Sequence, residues 1–72
     1  MSERITKTKL RLGKKIQRIR GLHHLTQEEL SEKLNISRTH LGHVEQGRKS
    51  PSMKLLEKIA KILKVKPQDL FP

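Results

Sequence analysis

Between Thr26 and Gln46 the chain reads TQEELSEKLNISRTHLGHVEQ, two short amphipathic helical patterns parted by an Asn-Ile-Ser break, and this stretch constrains the fold most tightly. The first pattern opens with Thr26, whose hydroxyl can accept from the backbone N–H of Glu29 while the Glu29 carboxylate reaches back to the N–H of Thr26, a reciprocal capping box. Leu30 and Leu34 lie four apart on one face, and Ser31 is small enough to admit a neighbouring helix. Asn35 tolerates left-handed backbone angles, so the helix is predicted to stop at Leu34 and the chain to turn in one step. Ser37 supplies a second N-cap hydroxyl, with Ile36 before it placed to pack on Leu41. A further helix is predicted over residues 38–46, with Leu41 and Val44 facing inward and Arg38, Thr39, Gly42, His43 and Gln46 on its other faces.

Charge narrows the partners. Seventeen Lys and Arg against seven Asp and Glu give a net charge of +10, with a pI near 10.6; this is the footprint of a polyanion binder, the plainer reading being a solubility surface. The first 20 residues alone carry Arg4, Lys7, Lys9, Arg11, Lys14, Lys15, Arg18 and Arg20 against Glu3. A membrane-surface helix would need a broader apolar face than Leu10, Leu12, Ile16 and Ile19, and aromatic anchors that are lacking there. No run approaches the roughly eighteen apolar residues of a transmembrane span, and the N-terminus lacks a signal-peptide pattern, so a cytoplasmic protein without a membrane partner is expected. Phe71 is the one aromatic residue. Single-stranded nucleic acid, bound by stacking on several rings, is therefore disfavoured, and double-stranded DNA is the polyanion that fits.

The chain has no cysteine, which removes disulfides and thiolate zinc sites. His40 and His43 stand one helical turn apart and His23 and His24 are adjacent, yet neither pair has Asp, Glu or Cys at ligand spacing. No metal and no cofactor are expected. Nor is there a nucleophile–base arrangement or a glycine-rich phosphate loop, so no enzymatic activity is expected. Seventy-two residues suit one domain near the lower limit for a core that stands without metal or disulfide.

Residues 1–6 read as a flexible arm without a capping signal, and residues 7–72 as a single domain. The first helix is predicted from Lys7 to about His23. Gly47-Arg48-Lys49-Ser50-Pro51 marks a loop, because Gly47 suits the position past a helix end and Pro51 pushes its predecessor out of the helical region. Ser52 caps the next helix, with Leu55, Leu56, Ile59, Ala60, Ile62 and Leu63 as its apolar face. Its lysines, Lys54, Lys58, Lys61 and Lys64, read as a solvated face, with a second DNA surface as the alternative. Pro67 suits the first turn of a short fifth helix ending at Phe71. Leu70 and Phe71 then need burial, either in the chain's own core or across a twofold axis.

The pattern L-T-Q-E-E-L-S-x-K-L-x-I-S-R-T-x-L-x-x-V-E-x-G-R-x-x-P-S resembles the small Cro/CI-type, or XRE, helix-turn-helix family. Leu12-Gly13-Lys14-Lys15-Ile16 is similar to the family's first helix, and Leu56-x-x-Ile59-Ala60-x-x-Leu63 and Asp69-Leu70-Phe71 to its C-terminal part. Arg38-Thr39-His40-Leu41-Gly42 is similar to a segment of restriction–modification controller proteins. Asn35 stands where the family often has Gly, and His40 where the controllers usually have an aromatic residue. The resemblance implies an all-α, compact five-helix lambda-repressor-like DNA-binding domain whose helices two and three form the helix-turn-helix. It implies a transcriptional regulator acting as a homodimer on an operator of two half-sites, with Ile62, Lys66 and Phe71 in the dimer interface; closure of the monomer core is the alternative role for these three. It also implies that Arg20 pairs with Glu45 to orient helix three rather than contacting phosphate.

On this reading Arg38, Thr39 and His43 are the base readers. Arginine can bond bidentately to guanine, threonine offers a hydroxyl and a methyl to thymine, and His43 lies about one turn further along, with a phosphate as its alternative partner. Gln27 sits at the positive end of a helix, where the resemblance implies a phosphate contact and ordinary first-turn polarity is the alternative. Ser37, His40, Arg48 and Lys49 are assigned to the sugar-phosphate backbone. Gly42 costs roughly 1 kcal/mol relative to alanine inside a helix, which either close approach to DNA or tight packing on a neighbouring helix would offset. No small-molecule effector is expected. The rival readings are an antitoxin-like protein-interaction module that also binds DNA, and a general basic nucleic-acid-binding protein.

Overall fold

Each helix begins on a hydroxyl. The computed structural model describes residues 6–71, and within them the order is α1 (Lys7–Leu22), α2 (Gln27–Leu34), α3 (Arg38–Glu45), α4 (Met53–Leu63) and a 3₁₀ turn (Pro67–Leu70). Thr6, Thr26, Ser37 and Ser52 occupy the N-cap positions in extended conformation, and their side chains accept from the backbone N–H of Lys9, Glu29, His40 and Leu55 respectively. Each such bond satisfies one of the donors that a helix start leaves unpaired, and is worth about 1 kcal/mol. The capping box is complete: Thr26 N–H donates to Glu29 Oε1 at 2.9 Å and Glu29 N–H to Thr26 Oγ1 at 3.0 Å. Thr6 corrects one expectation, since it is the cap of α1 and not part of a featureless arm; the rest of that arm lies outside the described residues.

The helices also stop alike. His24, Asn35, Gly47 and Lys64 have φ of 56°, 59°, 77° and 60°. The N–H of the residue after each returns to a carbonyl five residues back: Leu25 to Arg20, Ile36 to Ser31, Arg48 to His43 and Val65 to Ala60. This is the Schellman arrangement, in which an apolar residue after the left-handed position closes the end. Leu25, Ile36 and Val65 do so, packed partly buried against the core.

That core is continuous. Leu12 and Ile16 of α1, Leu30 and Leu34 of α2, Leu41 and Val44 of α3, the apolar stripe of α4 and Leu70 bury together. Gly13 lets α1 close on α3, because a Cβ there would collide with the backbone carbonyls of Val44 and Glu45. Ser31 is buried as well, its hydroxyl donating to Glu28 O at 2.8 Å.

One further expectation needs correction here. The fold has four α-helices among the described residues, not five: α4 is succeeded by one 3₁₀ turn, because Pro67 brings no N–H and the chain is extended again by Phe71. Leu70 is fully buried in the chain's own core, whereas Phe71 stays 39% exposed. No helix among the described residues is long and apolar enough to cross a membrane.

Candidate nucleic-acid interface

With Leu41, Val44 and Glu45 turned into the core, helical spacing sends Arg38, Gly42 and Gln46 along one outer row and Thr39 and His43 along the next. These five residues and Gln27 line an open crevice of about 230 Å³ across the start of α2 and the length of α3. Gly42 forms its gap. A Cβ at this position would meet nothing within 4 Å, so tight packing on a neighbouring helix does not offset its helix penalty.

Beneath the crevice lies a polar hub. Glu45 is 3% exposed, and a carboxylate so deeply placed is costly unless its lone pairs are taken. Arg20 Nε donates to Glu45 Oε2 at 2.7 Å and Arg20 Nη2 to Oε1 at 3.1 Å, the fork-on-fork geometry that suits guanidinium and carboxylate. Gln27 Nε2 adds a third bond to Oε1 at 2.8 Å, and Arg20 Nη1 donates to Leu25 O at 2.8 Å. Among the described residues no buried side-chain nitrogen or oxygen lacks a partner. The hub therefore ties the end of α1, the start of α2 and the end of α3 into one rigid corner.

Each residue singled out from sequence can be placed against this corner. Arg38 and Thr39 are exposed and His43 half-buried in the crevice. Gln27 is there too, but its amide is anchored on Glu45, and its backbone N–H stands at the head of α2 where helices lack internal acceptors. The Ser37 hydroxyl accepts from His40 N–H at 3.0 Å. Arg48 turns back on α3, its Nε donating to Gln46 Oε1 at 3.1 Å, while Lys49 is exposed in the loop, its backbone N–H donating to His43 O at 3.2 Å. His40 is not brought to the crevice. It lines a separate groove of about 240 Å³ with Ile36, Lys54 and Lys58, and there Lys58 Nζ donates to Leu34 O at 3.3 Å, satisfying the end of α2. Ile62 is half-buried at the core margin, Lys66 is exposed, and Phe71 is partly exposed.

Gln46, which the sequence places on an outer face of this helix but not among the base readers, joins the crevice through its position at i+8 from Arg38 and i+4 from Gly42. Among the described residues, no group of three or more His, Cys, Asp or Glu is arranged to hold a metal.

Comparison with known proteins accords with this geometry. Residues 16–70 match the helix-turn-helix family HTH_3. An HTH-type transcriptional regulator of Methanocaldococcus jannaschii is 47% identical over 57 residues, covering 79% of this chain and 86% of that protein. The restriction–modification controller protein C.AhdI of Aeromonas hydrophila superimposes with a TM-score of 0.82 at 29% identity, over 86% of this chain and 94% of its own. SinR, the master regulator for biofilm formation, solved in complex with DNA, gives 0.77 at 28% identity over 82% of this chain and 95% of its own.

Proposed function

The chain belongs to the XRE-type helix-turn-helix family, and from that premise we propose that it is a sequence-specific regulator of transcription that reads double-stranded DNA with the outer face of α3. The observation that carries the reading is the crevice floored by Gly42: a polar surface, open above a position where a methyl group would touch nothing, backed by a hub that fixes the helix holding it. A helix entering the major groove reads base edges with polar side chains on its outward face, and a small residue among them allows a close approach.

In this reading Arg38, Thr39 and His43 contact bases, and Gln46 extends the row. The backbone N–H of Gln27, the Ser37 hydroxyl, Arg48 and Lys49 contact phosphates, with His40 at the flank towards Lys54. Arg20 and Glu45 orient α3 and touch no DNA. A homodimer formed through Ile62, Lys66 and the partly exposed Phe71 would present two copies of α3 to half-sites about 34 Å apart, one helical turn of duplex. Residues 7–72 act as one binding unit in the cytoplasm, and occupancy of the operator is the regulatory event, without cofactor, effector or catalytic step.

The test is a titration of selected and scrambled duplexes at several salt concentrations. Arg38→Ala is expected to cost about 1–3 kcal/mol on the selected duplex and to relax preference at one base pair, whereas Lys49→Ala weakens both duplexes alike and lowers the salt slope by about one. Equal losses on both duplexes for Arg38→Ala would refute the assignment.

A further inference from the structure

The outward face of α1 belongs to none of this. Arg11, Lys14, Lys15 and Arg18 succeed one another at i, i+3, i+4 and i+7, all exposed, and flank a shallow groove of about 310 Å³ that shares no residue with the crevice over α3. At 100° per residue they project away from Leu12 and Ile16, which the helix buries. No Asp or Glu stands anywhere on α1. Arg11 with Lys15, and Lys14 with Arg18, are therefore like-charged neighbours at i, i+4, a spacing that destabilises a helix unless something anionic lies across it. None of the four has a hydrogen-bond or ion-pair partner among the described residues.

Leu22 continues the same row four residues beyond Arg18 and is 69% exposed, more than any other large apolar side chain described. This residue discriminates between partners. A phosphate backbone would satisfy the cations but offer Leu22 nothing. A lipid surface would need a band of apolar side chains, and Leu12 and Ile16 are already committed to the core. A second copy of this face would repel the first.

We propose that the outer face of α1 is a docking surface for an acidic amphipathic protein segment, one that lines carboxylates along Arg11, Lys14, Lys15 and Arg18 and offers an apolar socket to Leu22. A DNA-bound molecule would thereby present a second face to a protein partner while α3 stays in the groove. The cations supply rate and orientation of encounter, and Leu22 supplies the contact that a bare polyanion cannot.

The probe is a synthetic helical peptide carrying glutamate on one face and leucine at one end, titrated into the ¹⁵N-labelled full chain with amide shifts as the readout and random duplex as the competing polyanion. Shifts are expected along the outer row of α1 from Arg11 to Leu22. Leu22→Ser should weaken the peptide roughly tenfold, as expected for a leucine withdrawn from burial, while leaving duplex affinity unchanged. The double variant Arg11→Glu, Arg18→Glu should abolish peptide binding; if circular dichroism shows lost helix, Arg11→Gln with Arg18→Gln replaces it and should lower the salt slope of peptide binding. Shifts centred on α3, an unchanged peptide affinity for Leu22→Ser, or charge variants that weaken duplex as much as peptide would overturn the proposal, the last by making the stripe a DNA surface. Because the peptide arm needs no operator, its outcome is separate from that of the α3 assignment.

Discussion

α3 and α4 share one core, but different forces hold them. α4 buries Leu55, Leu56, Ile59, Ala60 and Leu63 along a single stripe, whereas α3 has two apolar anchors, Leu41 and Val44, and the carboxylate of Glu45. Hydrophobic burial is strong and non-directional, so it holds α4 against the core without fixing each side chain's bearing. The bonds at Glu45 are directional, and they fix α3 about its own axis. A helix that leaves most of its circumference uncovered has little apolar surface left to anchor it, and here a polar hub takes up that task.

The contrast can be broken most forcefully at the hub. Glu45→Ala leaves Arg20 and Gln27 facing a vacated buried site and should cost about 3–5 kcal/mol, read from urea unfolding. Replacing both partners, Arg20→Met with Glu45→Leu, should restore much of that stability, since well-packed apolar residues can substitute for a buried ion pair. It should not restore the ratio of selected to scrambled duplex affinity. Recovery of that ratio in the double variant would show that the hub acts through stability alone. Ile59→Ala makes the complementary cut: a fully buried side chain of α4 is lost, at about 2–4 kcal/mol, and the protein that remains folded should discriminate duplexes as before.

How much of this was legible beforehand obeys the same division. Hydroxyl caps are local, so Thr26, Ser37 and Ser52 could be read directly, and Asn35 and Gly47 announced their left-handed turns. His24 and Lys64 adopt the same conformation without any such signal, because burial of Leu25 and Val65 imposes it from outside the helix. The outer rows of α3, from Arg38 to Gln46, were legible from their periodicity. The gap above Gly42 was not, since it depends on what the rest of the chain leaves uncovered. His40 is assigned to phosphate from its place on α3, and that its groove joins the turn before α3 to the start of α4 is something sequence spacing cannot locate. Arg20 and Glu45 are 25 residues apart and came together only through family resemblance. The anchoring of Gln27 on them left no local trace at all.

A smaller effect of opposite sign sharpens the comparison on α3 itself. Gly42→Ala adds a methyl group into open space and removes the entropy penalty of glycine within a helix, so the free protein should gain about 0.5–1 kcal/mol in thermal or urea unfolding. If α3 reads the groove as proposed, the same methyl should weaken the selected duplex more than the scrambled one, because only the former would draw α3 deep into the groove. A variant more stable and equally discriminating would mean that α3 approaches DNA from another side.

The weakest effect separates the starts of α2 and α4. Both have a hydroxyl cap, but only α2 adds a carboxylate: the backbone N–H of Thr26, then its hydroxyl, hold Glu29 below its ordinary value of 4.5, with Lys33 adding a lesser pull. The folded protein thus binds this proton more weakly than the unfolded chain does. Its contribution is complete above the ordinary value and is lost as pH falls through the lower folded one. The amide resonances of Thr26 and Glu29 should therefore move together with a midpoint below 4.5, while that of Leu55, bonded to the Ser52 hydroxyl alone, stays in place, and Glu29→Gln should abolish the step. A Leu55 amide that titrates alongside them would mean that acid loosens the whole fold at once, and that the two helix starts are not held independently.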